Sequence, residues 1–148
     1  MRFSQCWVTR RFKRWAFNYD ALNDAVWLLC FVAFCQGNEA TLNFYLSNFT
    51  DVSALTAAIR NIEYLGGNTN TTGGLRLART VCFNRANGDR ADVPNVAILI
   101  TDGIPTREVE LLPGEVDTIK GLGIRIVGVG VTDQVSFRRL RFCLSRID

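Results

Sequence analysis

Asn95-Val96-Ala97-Ile98-Leu99-Ile100-Thr101-Asp102-Gly103 is the stretch on which the fold turns. Its apolar run is nearly unbroken, follows no helical period and stops at an Asp-Gly pair. That is the pattern of a parallel strand covered on both faces, since a strand with one wet face alternates polar and apolar residues. A second such run, Ile124-Arg125-Ile126-Val127-Gly128-Val129-Gly130-Val131, lies further along the chain. Between the two, a helix is expected to begin near Pro113, a good first-turn residue. It carries Val116 and Ile119 and stops at Gly121-Leu122-Gly123. A strand, a helix and a strand of these lengths close as a right-handed crossover, which sets the strands side by side and parallel.

Upstream, the same alternation continues. Thr41-Leu42-Asn43-Phe44-Tyr45-Leu46 is aromatic-rich and partly alternating, so it reads as a strand between Gly37-Asn38 and Ser47-Asn48. Thr50 or Asp51 caps a helix over 51–65, in which Leu55, Ala58, Ile59, Ile62 and Leu65 share a face and Gly66-Gly67 ends the run. The polar loop Asn68-Thr69-Asn70-Thr71-Thr72 leads into a second helix, over 72–83, with Leu75, Ala78, Val81 and Cys82 on one face. Asn84 to Asp92 is a surface loop, and Asp133 starts a last helix with Val135, Phe137, Leu140 and Leu144. The fold class is therefore α/β, a doubly wound and mostly parallel sheet with helices on both faces.

The first 24 residues mix aromatic and basic groups without a period and are expected to be irregular. Ala25 to Cys35 is an apolar run of eleven residues, where a membrane-spanning helix needs roughly 20. Arg10-Arg11-Phe12-Lys13-Arg14 ahead of it and Ala33-Phe34-Cys35 within it mimic a secretory signal, but Asp20 and Asp24 interrupt that pattern. A buried strand at about 28–34 is preferred. The chain divides into a divergent segment, 1–35, and a domain over 36–148.

Composition narrows the chemistry. The 148 residues include no histidine, which removes imidazole-based catalysis and histidine-ligated zinc. No phosphate-cradling glycine loop with its lysine occurs, and Gly121-Leu122-Gly123 precedes a strand, so a dinucleotide site is excluded. The formal charge is +3, yet residues 21–137 hold eight basic against twelve acidic groups, with the basic surplus at the two ends. That distribution is a poor footprint for nucleic acid. The five cysteines, Cys6, Cys30, Cys35, Cys82 and Cys143, form no C-x-x-C, and their connectivity is open. Cys82 and Cys143 sit in apolar helical surroundings and read as small buried hydrophobes.

Doubly wound sheets bind ligands at the carboxyl ends of their strands. Two polar features fall there: Asp102, directly after a strand, and the threonine loop 68–72 ahead of a helix. A strand-end carboxylate and loop hydroxyls supply oxygen ligands suited to a hard divalent cation, although a threonine loop capping a helix is an equally ordinary arrangement.

Three motifs in order, Gly66-Gly67-Asn68-Thr69-Asn70-Thr71-Thr72-Gly73-Gly74-Leu75, Val96 to Gly103, and Ile126-Val127-Gly128-Val129-Gly130-Val131, closely resemble the von Willebrand factor type A domain. The resemblance is strongest to extracellular-matrix versions such as those of collagen VI and the matrilins, and runs from near Gly37 to about Leu140. It implies a metal-ion-dependent adhesion site in which magnesium or manganese leaves a position open for a partner's carboxylate. By motif position Thr69 matches the family's loop threonine and Asp102 its strand-end aspartate. The family's Asp-x-Ser-x-Ser occurs nowhere in these 148 residues. Asp51-Val52-Ser53 begins similarly, but Ala54-Leu55 follow. The chain therefore reads as a fragment, or an isoform whose first strand has been replaced, with weak binding of either ion.

The resemblance implies a secreted, non-enzymatic adhesion module with matrix or cell-surface protein ligands, without a membrane span. The alternative is a degenerate, metal-free structural domain. Asn48-Phe49-Thr50 and Asn70-Thr71-Thr72 both fit the N-glycosylation pattern. The first is compatible with a secreted chain, whereas a glycan on the second would crowd the metal loop.

Overall fold

The computed structural model describes residues 31–36, 39–62, 67–101 and 104–130. The first 24 residues, the start of the strand expected at 28–34, Asp102 and the helix expected after Asp133 lie outside these. The elements in chain order are β1 (Phe31–Gln36), β2 (Glu39–Phe44), α1 (Val52–Arg60), α2 (Thr71–Leu77), β3 (Val96–Thr101), α3 (Leu112–Gly121) and β4 (Arg125–Gly130). A π-helical turn, Ala78–Cys82, continues α2, and short 3-10 turns occupy Arg85–Asn87 and Val109–Leu111.

β3 and β4 pair in parallel and in unbroken register, from Val96 opposite Arg125 to Thr101 opposite Gly130. The apolar runs implied this pairing. The described residues show the cover of one face, and the helix expected after Asp133 lies outside them. Leu99, Thr101 and Ile126 point into the core, while Val96, Ile98, Val127 and Val129 on the opposite face stay between 41% and 59% exposed. The physical reason lies in the helices. Leu75 of α2 and Leu112, Val116 and Ile119 of α3 gather with Ile124 and Ile126 into one cluster, flanked by Phe83 and Ala97, so both helices lie on one side of the strand pair.

β1 and β2 form an antiparallel hairpin, with Phe31 opposite Phe44 and Gln36 opposite Glu39. β1 straddles residue 35, the boundary expected between the segment 1–35 and the domain over 36–148. β2 sits two residues ahead of the strand expected at 41–46 because a turn ends it. The Tyr45 N–H donates to Asn48 Oδ1 at 2.6 Å, and the Asn48 N–H donates to the Tyr45 carbonyl at 3.2 Å. Leu46 is buried without being in a strand.

α1 is capped as expected: Asp51 Oδ2 accepts the Ala54 N–H at 2.7 Å. It ends at Arg60, short of the expected 65, and none of its residues is fully buried. α3 carries Pro113 in its first turn and terminates with Gly123 at φ 77°, whose N–H donates to the Lys120 carbonyl at 2.9 Å. Cys82 is buried, as read from its neighbours, but it is disulfide-bonded rather than a free thiol.

A candidate cation edge around Thr69

α2 begins with Asn70, whose Oδ1 accepts the Gly73 N–H at 2.7 Å. The side chain can fold back so closely because residue 73 is glycine: a Cβ there would fall 2.9 Å from Asn70 Nδ2. The cap fixes the loop before it, where Thr69 is half-buried. The Thr69 N–H donates to Thr106 Oγ1 at 2.9 Å. Its carbonyl accepts the Thr106 N–H at 2.9 Å and the Arg107 N–H at 3.3 Å.

Thr106 and Arg107 belong to the segment that leaves the carboxyl end of β3, so the fold joins the loop after Asp102 to the loop carrying Thr69. Asp102 itself lies outside the described residues, and its own position is not placed. Thr101, the residue before it, is buried at the end of β3.

Glu108 completes the seam. Its carbonyl accepts the Thr72 hydroxyl at 2.8 Å. Its carboxylate accepts Arg76 Nη2 at 2.8 Å and Asn70 Nδ2 at 3.4 Å. Glu108 adopts φ 48°, the one non-glycine residue with positive φ among the described residues. That conformation costs an L-residue about 1–2 kcal/mol, offset here by the bonds it makes to α2. The guanidinium of Arg76 holds the Glu108 carboxyl below the usual carboxylate range, with Asn70 adding to the effect and desolvation opposing it. Behind this layer, Arg79 Nε and Nη2 reach Glu115 at 2.6 and 3.3 Å, a pair that raises the Arg79 pKa.

Neither Thr106 nor Glu108 stood out in the sequence. An Asn-x-x-Gly cap is a readable signal, but the partners of Thr69 and Arg76 lie more than thirty positions away.

Thr69 brings one hydroxyl, and Thr71 keeps a buried hydroxyl with no hydrogen-bond partner among the described residues. Among those residues no three His, Cys, Asp or Glu side chains gather as a metal cluster. A magnesium-sized ion wants about six oxygens, some of them anionic. The described residues alone do not supply such a set.

The model of the von Willebrand factor type A domain matches residues 27–142. The chain belongs to this family. Cochlin of Bos taurus is 33% identical over 80 residues, 53% of this chain and 14% of that protein. Vitrin of Homo sapiens is 34% identical over 74 residues, 50% of this chain and 11% of that protein. The collagen alpha-4(VI) chain of Mus musculus is 36% identical over 91 residues, 61% of this chain and 4% of that protein. The chain thus spans about a seventh or less of the length of these relatives. Among solved structures, proximal thread matrix protein 1 from the mussel byssus superposes with a TM-score of 0.70 at 24% identity, covering 77% of this chain and 29% of that one. A form of that mussel protein with a zinc-occupied MIDAS motif superposes with a TM-score of 0.66 at 26% identity, covering 77% of this chain and 27% of that one. The α/β architecture of the type A domain accounts for the parallel pair β3 and β4, the helices on it, and the hairpin β1–β2.

Proposed function

We propose that this type A domain is a non-enzymatic, extracellular protein-interaction module whose adhesion site is incomplete. The observation that carries the reading is the seam at the β3 end. Thr69 is held by Thr106 and Arg107, so the loop that presents a cation ligand in this family is formed. Thr69 and Asp102 are the two motif ligands this sequence retains. The Asp-x-Ser-x-Ser positions, which would add a second carboxylate and two hydroxyls, have no counterpart in these 148 residues. Magnesium or manganese would be left with most of its hydration shell, and zinc, named for the mussel neighbour, meets no histidine or cysteine in the loop.

A disulfide at Cys82 supports the extracellular placement, because such bonds persist in oxidising compartments. Partners are proteins rather than nucleic acid, in keeping with the acidic body of the chain. Among the described residues no helix is long and apolar enough to cross a membrane.

The second reading, a metal-free structural domain, draws on the same seam. The Thr69 main chain is satisfied on both sides by protein groups, so the loop stands without an ion. Isothermal titration of the folded chain with magnesium, manganese and zinc separates the two. Weak, saturable heat at millimolar ion supports the incomplete site, and none supports the structural reading. A micromolar site would contradict both.

A further inference from the structure

Of the two N-glycosylation patterns in the chain, the fold admits one. Asn70 is 3% exposed, and both ends of its amide are engaged, by the Gly73 N–H and by Glu108. A sugar on that nitrogen would break the cap of α2 and open the seam. Asn48 is exposed, as is Thr50, the hydroxyl residue of its pattern. Its Oδ1 accepts from Tyr45, while Nδ2 has no partner among the described residues. Phe49, between them, is anchored edge-on to Phe44 with ring centroids 5.2 Å apart, and Asp51 caps α1 directly afterwards. The pattern therefore sits on a fixed turn with its two reactive side chains in solvent.

We infer that Asn48 is an N-linked glycosylation site of this protein and that Asn70 is not. The donor is a lipid-linked pyrophosphoryl oligosaccharide of the secretory pathway. The bond from the sugar's anomeric carbon to the pyrophosphate oxygen breaks, and the lipid pyrophosphate leaves with the electron pair. A bond forms from that carbon to Asn48 Nδ2, which gives up one proton. The inference rests on the extracellular reading above.

Its position has a functional meaning. The Ser47 N–H donates to the Asn87 carbonyl at 3.1 Å, and Asn87 Nδ2 donates to the Val81 carbonyl at 2.8 Å. Gly88, at φ 99°, permits this approach: a Cβ there would fall 2.8 Å from the Ser47 nitrogen. Asn48 is thus tied to the Val81 end of the helical segment that starts at Thr71, roughly 15 Å away at 1.5 Å per residue. The glycan stands at the opposite end of that segment from Thr69 and leaves the interaction edge open.

The test is expression of the full chain behind an added secretion leader in a mammalian cell line, followed by peptide-N-glycosidase digestion and peptide mass mapping. We expect one glycosidase-sensitive mobility step, with Asn48 converted to Asp on release. The step is lost in Asn48→Gln and in Thr50→Ala, which leaves the Asn48 turn in place. It persists in Asn70→Asp, which keeps a capping oxygen and leaves Asn68-Thr69 without a hydroxyl residue at position 70. Secreted chain without the step, or a step that survives Asn48→Gln, overturns the inference. The Cys82 disulfide is mapped in the same secreted chain: an oxidised Cys82 leaves the extracellular reading standing even if the glycan is absent, and a reduced Cys82 counts against that reading alone.

Discussion

The Thr69 N–H donates to the Thr106 hydroxyl at 2.9 Å, and the Thr106 N–H returns a bond to the Thr69 carbonyl at the same distance. This reciprocal pair joins the loop ahead of α2 to the segment leaving β3. Thr106→Ala deletes only the side-chain half of it. We expect a loss of about 1 kcal/mol in urea unfolding, the usual net value of a neutral hydrogen bond, and faster hydrogen exchange at the Thr69 amide. Thr106→Ser should restore both. Unchanged exchange in Thr106→Ala would show that the hydroxyl does not hold the loop.

Cation binding follows from the donor count. On the proposal that Thr69 and Asp102 are the retained ligands, affinity for magnesium or manganese should be weaker than about 1 mM, the weak end of the range for protein oxygen sites. Asp102→Ala should then change the cation response little. A saturable micromolar isotherm that disappears in Asp102→Ala would mean that another residue replaces the missing motif.

The strand pair β3–β4 was legible because a continuous apolar run has few alternative placements, and α3 because Pro113 and Gly123 punctuate it. The boundaries of β2 were not, since the Asn48 side chain ends that strand and a local propensity pattern does not weigh such a bond. Thr69 was singled out by its motif position. Its holding partners were not: Glu108 takes a left-handed conformation that no nearby glycine or asparagine announces, and Arg76 finds it across 32 positions. Burial of Cys82 could be read from its neighbours, whereas its disulfide depends on which chain segments meet in space.

The Arg76–Glu108 pair predicts a particular pH response. Arg76 lowers the folded-state pKa of Glu108, so the pair contributes stability above the unfolded carboxylate value of about 4.3. That contribution is lost as pH falls through the lower, folded value. Glu108→Gln removes the linkage. Wild type should be the more stable at neutral pH, and the two unfolding curves should converge below the carboxylate range. Parallel curves across the acid limb would show that Glu108 is not coupled to Arg76 in solution.

The Arg79–Glu115 pair should matter more, because it is less accessible to water. Glu115 is 9% exposed and Arg79 24%, and two hydrogen bonds, at 2.6 and 3.3 Å, join them. Glu115 stands one turn before Ile119, which is fully buried, so its carboxylate lies on the face of α3 that enters the core. Removing Arg79 leaves that carboxylate with the Arg76 guanidinium at 3.9 Å as its remaining ion pair among the described residues. We expect Arg79→Ala to cost roughly 1.5–3 kcal/mol, the range for hydrogen bonds to charged groups. Part of that loss is the penalty of a buried charge rather than the pair's own contribution, so Glu115→Ala and the double variant are also required. The double variant should be more stable than the sum of the single losses predicts. The denaturant slope should stay constant across the series, as it does when only stability changes. Losses that add to within about 0.5 kcal/mol would show that the two side chains act independently.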